Sequence, residues 1–285
     1  MKSMGFSGTK AATTAKAAPA AVKPAPAAAS PATRRTLDRM AQWFNKSIGI
    51  LGLLAVWSIA CASGAISASL LPAPWQVVEC GIDMLASGAL LTHLWASLQR
   101  VLLGFLVAFL LALPMGLVLG SFPRVRRAMD PLIEVLRPVP PIAMIPLSIL
   151  WFGIGESSKI FIIAWAAFFP IVINVFGGVQ QVDPIHIRAA QTLGAGRMQI
   201  FYYVILRSAV PNIIIGMRNG FSMAFISLVA AELIASNAGL GFLIQEARYM
   251  YKTDEVLLGI LVIGLIGYLI NKILLRVEKR LTSWR

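Results

Sequence analysis

Long apolar runs set the strongest limit on how this chain of 285 residues folds. Hydrophobic residues make up 58% of the sequence and charged residues only 13%, whereas soluble domains carry about a quarter charged residues. Because a helix needs about 20 consecutive apolar residues to cross the ~30 Å hydrocarbon core of a bilayer, runs of this length indicate an integral membrane protein. We therefore predict an all-α membrane protein, with the lipid bilayer as its surroundings.

The formal net charge of +13 is explained by membrane topology rather than by binding of nucleic acid. Lys and Arg collect in four clusters, at Lys2–Lys46, Arg124–Arg137, Arg188–Arg207 and Lys272–Arg285. Basic loops of membrane proteins remain in the cytoplasm, and these clusters alternate with segments that are poor in Lys and Arg. Six spans place all four clusters and both chain termini on the cytoplasmic side, so we predict no nucleic-acid partner.

The six predicted spans lie within a transmembrane domain at 41–285 and cover residues 48–66, 101–119, 138–153, 160–177, 212–234 and 256–275. Residues 1–40 are rich in Ala, Pro and Lys and are predicted to be a disordered cytoplasmic tail. The stretch 71–100 has the spacing of an amphipathic helix at the outer membrane interface. Pro141 and Pro146 interrupt the third span, which makes them candidates for the wall of a solute pathway.

Small residues recur at every fourth position of the second predicted span. They are Gly104, Ala108, Ala112, Gly116 and Gly120. Small residues at this spacing let helix backbones approach closely in lipid. We expect the stripe to pack inside the helical bundle, with a dimer seam as the alternative.

The polar segment 180–210 lies between two apolar runs and is predicted to form two short helices. Asp183 and Pro184 are a capping carboxylate and a proline at the first helical position, which together favour a helix start. Gly194 and Gly196 end that helix, and a second amphipathic piece follows. Two short helices joined by a glycine turn form a rigid projection on the cytoplasmic side.

This segment resembles the coupling loop of the permeases of ATP-binding-cassette (ABC) importers, whose pattern begins with Glu-Ala-Ala. The matching positions are Ala189, Ala190, Gly194, Val204 and Leu206, with Pro211 matching a second proline found in one subgroup. Arg188 and Arg207 depart from the pattern, since they stand where the family has Glu and Pro. The stretches 146–159, 167–171 and 231–244 are similar to the branch that carries nitrate, sulfonate, taurine and bicarbonate.

The resemblance implies a methionine-importer-like (MetI-like) helical bundle in a bacterial inner membrane, with cytoplasmic coupling helices and no catalytic residue. It also implies the partners: two ATPase subunits, which hold ATP and Mg, a second permease copy and a periplasmic substrate-binding protein. No Walker A motif is present, in agreement with ATP hydrolysis on another chain. The implied function is ATP-driven import of a small anion by alternating access, with Arg188 expected to meet an acidic partner residue.

Two ionisable residues lie inside the fifth predicted span, and such residues are functional or paired by default. Arg218 is a candidate for contact with an anionic solute or, alternatively, for extending to the cytoplasmic interface or bonding to another helix, and Ser222 lies on the same side. Glu232 is a pathway candidate that alternatively caps a helix or bonds to the loop containing Gly239. Cys61 and Cys80 indicate no disulfide framework, and the spacing of Cys and His predicts no metal site.

Two other classes of membrane protein fit the sequence less well. An ion-coupled secondary transporter is expected to have several buried carboxylates and an internal repeat, whereas the predicted spans hold one acid, Glu232. A membrane enzyme requires clustered His, Asp or Ser groups at one membrane face, and the sequence offers no such cluster. The ABC importer permease is therefore the leading hypothesis.

Overall fold

In the computed structural model, which describes residues 49, 51–64, 67 and 70–281, every regular element is helical. The chain divides into two compact units, Met1–Leu53 and Leu54–Arg285, and the second unit contains all helices from α2 onward. The helices are α1 (Leu51–Ala62), α2 (Pro74–Ala86), α3 (Ala89–Ser121), α4 (Pro123–Leu136), a 3-10 turn (Pro141–Met144), α5 (Ile145–Phe152), α6 (Glu156–Gln180), α7 (Pro184–Thr192), a short turn α8 (Arg197–Gln199), a π-helical stretch (Ile200–Leu206), α9 (Arg207–Ala235), α10 (Leu240–Tyr249) and α11 (Thr253–Leu281).

Four helical segments of the described chain are long and apolar enough to cross a membrane. They are Ala89–Ser121, Glu156–Gln180, Arg197–Ile234 and Thr253–Arg280, and they contain the second, fourth, fifth and sixth predicted spans. The third predicted span is broken as expected, since α4 and the segment Pro141–Phe152 meet at an angle of 89° and count as one further span at most. The first predicted span, 48–66, and the predicted tail, 1–40, lie partly or wholly outside the described residues.

The second span begins earlier than predicted. The stretch 71–100 is not one interfacial helix, because α2 ends at Ala86 and α3 starts at Ala89 and continues without a break to Ser121. Gly88, with φ at +78°, occupies the left-handed region and separates the two helices. The apolar spacing of this segment indicated an interfacial helix, yet its polar residues Ser97 and Arg100 are buried inside the bundle.

Helix α6 packs against both α3 and α9, and these three helices form the centre of the bundle. The small residues of α3 provide the close approach, since Ala108 and Ala112 are buried and Gly104, Gly116 and Gly120 lie against Ile163, Val175 and Val179 of α6. The expectation that this stripe packs inside the bundle is therefore confirmed. Helix α11 packs on α2, α9 and α10.

Adding one methyl group at Gly116 is expected to destabilise the bundle. A Cβ atom there is 2.6 Å from Cβ of Val175 and 2.9 Å from the backbone oxygen of Val172, so α3 and α6 must separate. Overpacking of this kind costs about 1–3 kcal/mol. Gly264→Ala in α11 is the matched control, because a Cβ there meets no atom within 4 Å and alanine favours the helix. Thermal melts of both variants in detergent test the prediction, which fails if both melt alike.

The contact between α2 and α11 changes the chemistry of Cys80. Burial, together with the carboxylates of Asp254 and Glu255, raises the pKa of the Cys80 thiol from 9.0 to about 11. Because only the thiolate reacts, alkylation of Cys80 in a Cys61→Ser protein at pH 8 is expected to be about 100-fold slower than that of an unperturbed thiol. The rate rises about tenfold per pH unit until pH approaches the raised pKa. A rate that levels off near pH 9 contradicts this environment.

Candidate functional site

Four polar side chains meet where α3 and α6 begin and α9 ends; this Arg100 cluster consists of Ser97, Arg100, Glu156 and Glu232. Nε of Arg100 donates to Oε2 of Glu156 at 2.6 Å, and Nη2 donates to Oε1 at 2.8 Å. Nη1 of Arg100 donates to Oε1 of Glu232 at 2.7 Å. The side chain of Arg100 is only 8% exposed and that of Glu232 is 0% exposed, whereas that of Glu156 is 58% exposed. One guanidinium therefore joins the surface of the bundle to its interior.

The Ser97 hydroxyl and one backbone N–H satisfy the rest of the Glu232 carboxylate and connect it to α10. The Ser97 hydroxyl lies 2.8 Å from both carboxylate oxygens and accepts from the backbone N–H of Leu240 at 2.8 Å. The N–H of Gly241 donates to Oε2 of Glu232 at 3.0 Å. Gly239 has a φ of +124°, and a Cβ there would lie 2.3 Å from Oε1 of Glu232. Glycine is thus required for the loop to approach the buried carboxylate.

The Arg100 cluster contains Glu232, one of the residues that the sequence singled out. The sequence offered Glu232 either as a pathway group or as a partner of the loop containing Gly239, and the second interpretation matches the observed hydrogen bonds. Arg100 donates to the backbone oxygen of Ala238 in the same loop. Ser97 and Arg100 were missed by the sequence analysis. Lys159 joins the exposed edge, with its Nζ 3.0 Å from Oε1 of Glu156.

The other charged candidate, Arg218, is paired with a different helix. Its Nη1 lies 3.0 Å from Oε2 of Glu278 in α11, and both side chains are partly buried. This is the interhelical bond that the sequence offered as the alternative to solute contact. Ser222, one turn further along α9, donates its hydroxyl to the backbone oxygen of Arg218 at 3.0 Å.

Two predicted pathway residues, Pro141 and Ser222, line the same groove. The groove has a volume of about 450 Å³ and lies between the 3-10 turn, α6 and α9. Glu232 instead belongs to the Arg100 cluster, and Pro146 is an exposed residue at the second position of α5. The structure therefore brings together two of the five pathway candidates at one cavity.

The first half of the predicted coupling segment forms the short helix α7, as the sequence indicated, but the second half is not a separate short helix. Asp183 caps α7, with its Oδ1 accepting from the N–H of Ile185 at 2.8 Å, and Pro184 is the first helical residue. Gly194 ends the turn with φ at +79°, a conformation that suits glycine at a helix C-terminus. Gly196 donates its N–H to Oε1 of Gln199 at 2.8 Å and starts the second helix.

The second half of the segment departs from a regular α-helix. Ile200–Leu206 is π-helical and continues directly into α9, so the coupling segment and the fifth span are one continuous rod from Arg197 to Ile234. Stretches of π-helix occur mostly at functional sites. Val204 and Leu206 are half-buried against the bundle, and Pro211 is buried in α9.

The same segment exposes large apolar side chains. Ile185, Leu193, Met198, Tyr202 and Tyr203 are all exposed, although they lie outside the long apolar runs. Arg188, Ala189 and Gly194 are exposed between them. We call the residues 183–203 with these side chains the coupling surface. Exposed apolar groups gathered on a polar segment are typical of a protein–protein contact.

Comparison with known proteins identifies the family. Residues 88–283 match the family model described as "Binding-protein-dependent transport system inner membrane component". The chain belongs to this permease family. The permease is 45% identical over 244 residues to the taurine transport system permease protein TauC of Escherichia coli, an alignment that covers 84% of this chain and 89% of that protein.

Further similarity supports the same assignment. The permease is 38% identical over 233 residues to the putative aliphatic sulfonates transport permease protein SsuC of Bacillus subtilis, covering 82% of this chain and 84% of that protein. Its fold is similar to a chain of the MetNI methionine ABC transporter in an inward-facing conformation, with a TM-score of 0.60 and 20% identity over 74% of this chain and 98% of that chain. The permease is thus an all-helical, multi-pass ABC importer subunit of the methionine-importer-like fold.

The permease family has no cofactor of its own. Among the residues that the structure describes, no group of three or more His, Cys, Asp or Glu side chains is arranged to hold a metal ion. The charged groups near the ends of the bundle instead form ion pairs, as at Arg100 and Arg218.

Proposed function

We propose that this permease moves a small anionic solute of the sulfonate class across a bacterial inner membrane, and that partner ATPase subunits drive it by docking on the coupling surface. The exposed apolar side chains of 183–203 carry this proposal, because apolar groups gathered on a polar segment outside the long apolar runs mark a surface suited to contact with another protein. The relatives named above as taurine and sulfonate permeases support the solute class.

The coupling surface is mechanically suited to pass motion into the bundle. Its second helix continues through the π-helical stretch into α9, and α9 packs on α6 and α3. A displacement of the surface therefore moves a rod that borders the groove with Ser222. Two permease copies, two ATPase subunits with ATP and Mg, and a periplasmic binding protein complete the proposed importer.

Arg188 gives the docking contact a distinctive charge. It is exposed, and within the described part of the chain its side chain forms no ion pair. The family pattern has Glu at this position, so the ATPase that serves this permease is expected to present a carboxylate there. A guanidinium and a carboxylate pair through two parallel hydrogen bonds, which fixes the orientation of the partner.

Reconstitution distinguishes ATP-driven import from ion-coupled transport. The permease is placed in liposomes with its ATPase and binding protein, and uptake of radiolabelled taurine or ethanesulfonate is measured. We expect uptake only when ATP reaches the ATPase, with no uptake when an ion gradient is supplied to the permease alone. Solute accumulation by the permease alone under an ion gradient contradicts the proposal and favours a secondary transporter.

A further inference from the structure

The groove that contains Pro141 and Ser222 has one charged residue in its lining, Arg137. None of the described residues that line this groove is a carboxylate. Arg137 is exposed, and among the described residues its side chain makes neither an ion pair nor a hydrogen bond. It also borders a smaller adjoining pocket with Asp130 and Glu134, but Asp130 is paired with Arg126 at 3.0 Å. Glu134 lines the same adjoining pocket but forms no ion pair with Arg137, so Arg137 brings an unpaired positive charge to the groove while this carboxylate lies beside it.

A second polar group at the groove also lacks a partner. Nε1 of Trp165 is buried, and none of the described residues accepts its proton. A buried N–H without an acceptor costs free energy, so such groups in native structures require an explanation. Trp165 lines the groove together with Arg137, and the exposed amide of Asn219 lies along the same lining. Nε1 of Trp165 is closed to solvent, so the exposed amide of Asn219 is the donor that reaches the groove.

Apart from Asn174 and Ser222, the remaining wall is apolar. Phe169, Met223 and Pro141 border the groove, whose volume of about 450 Å³ falls in the range of small-molecule sites. The planar fork of an arginine matches the oxygens of an oxyanion, and an apolar wall accepts a short hydrocarbon chain. The ligand that satisfies both features is a compact organic anion with several acceptor oxygens at one end.

We propose that this groove is the anion-holding subsite of the solute pathway, with Arg137 as the charge partner of a sulfonate-type head group. The exposed amide of Asn219 supplies the adjacent donor, and Phe169 and Met223 contact the hydrocarbon part. The subsite rests on the proposed transport function and specifies which residues of that path meet the solute. It also explains why Arg218, which is paired with Glu278, is not the group that holds the anion.

Charge-selective labelling tests the subsite without any transport. Ser222→Cys is introduced into a full-length chain carrying Cys61→Ser and Cys80→Ser, in membrane vesicles. The rate of modification is measured with sulfonatoethyl methanethiosulfonate, which is itself an ethanesulfonate, and with the cationic trimethylammonioethyl reagent. Adding Arg137→Ala is expected to lower the ratio of anionic to cationic rates about tenfold, because the charge attracts one reagent and repels the other.

The matched control is Arg127→Ala, which removes an exposed arginine of α4 that does not line the groove. It should leave the ratio unchanged. If the ratio of the anionic to the cationic labelling rate is the same before and after Arg137→Ala, the subsite is overturned. Failure of both reagents to modify Cys at position 222 also overturns it, since a solute subsite must be open to water.

Uptake of ethanesulfonate in the reconstituted importer provides the functional arm. Arg137→Ala is expected to lower the maximal rate about tenfold or more, because one charge-assisted contact with the solute is lost. Arg137→Lys keeps the charge and should retain a larger fraction of the wild-type uptake rate than Arg137→Ala does. Arg127→Ala should transport at the wild-type rate. Uptake at the wild-type rate by Arg137→Ala overturns the subsite. If the unmodified importer takes up no ethanesulfonate, that result counts against the proposed function, and the labelling experiment then decides whether the subsite exists.

Discussion

Replacing Arg100 with alanine is expected to destabilise the permease by about 3–5 kcal/mol, the largest effect of any single substitution considered for this protein. The change leaves the carboxylate of Glu232, whose side chain is 0% exposed, without its ion-pair partner at 2.7 Å. It also removes the link from α3 to Glu156 at the start of α6. A buried charge without a partner costs more free energy than the ion pair contributed. We therefore expect a smaller yield of folded protein, and not only a lower melting temperature. The measurement is the fraction of monodisperse protein after detergent extraction, followed by thermal melts.

Two further variants separate charge from packing in this prediction. Arg100→Met with Glu232→Gln removes both charges together and is expected to recover most of the lost stability, because no unpaired ion remains. Arg276→Ala is the control for loss of an arginine, since Arg276 is exposed on α11. The Arg100 cluster does not stabilise the fold in the way described if Arg100→Ala melts at the same temperature as the unmodified protein. The same holds if the double variant melts at a lower temperature than Arg100→Ala.

Gly194→Val is expected to reduce productive docking of the ATPase about 5- to 30-fold while leaving membrane insertion intact. Gly194 has a φ of +79°, a conformation that costs an ordinary L-residue about 1–2 kcal/mol and a β-branched residue more. A free-energy change of that size shifts the population of the docking-competent turn by the stated factor. A Cβ at this position meets no atom of the chain within 4 Å, so the bundle itself should be unaffected. Co-purification of the ATPase and ATP-driven uptake measure the effect.

Gly194→Asn is the matched control, because asparagine adds a side chain of similar size but tolerates the left-handed conformation. It should retain most of the docking that Gly194→Val loses. Equal losses in both variants would show that bulk, and not backbone conformation, matters at the turn. Full docking and uptake with Gly194→Val would show that the shape of the turn has no part in coupling.

Much of the fold was predictable because its signals are local. The prolines and glycines of 183–196 and the four-residue period of small residues in α3 each correspond to an observed turn or contact. The limits of α3 were not predictable by the same reasoning, because the apolar spacing of 71–100 also suits a helix at the membrane interface. The stripe itself contained the missing information, since Arg100 lies four residues before Gly104 and continues the same register.

The groove shows where sequence reasoning stops. Pro141, Ser222, Trp165 and Arg137 are distant in sequence, and only the packing of α6 against α9 and the 3-10 turn brings them to one lining. Arg137 was assigned to a basic cluster that reports topology, and nothing local distinguishes it from Arg127. Which intramembrane charge is paired also depends on tertiary contacts, as Arg218 with Glu278 demonstrates.

Site-specific photo-crosslinking tests the central claim, that the coupling surface receives the ATPase. Benzoylphenylalanine is placed at Leu193, which is 87% exposed on the coupling surface, or at Ile154, which is 82% exposed just before the first residue of α6. The two positions are similarly exposed but differ in location, because position 154 precedes α6 and position 193 follows α7, beyond the other end of α6. We expect an ATPase adduct from position 193 and none from position 154. Adduct formation at 154 alone, or at neither position in an importer that is active, would contradict the account.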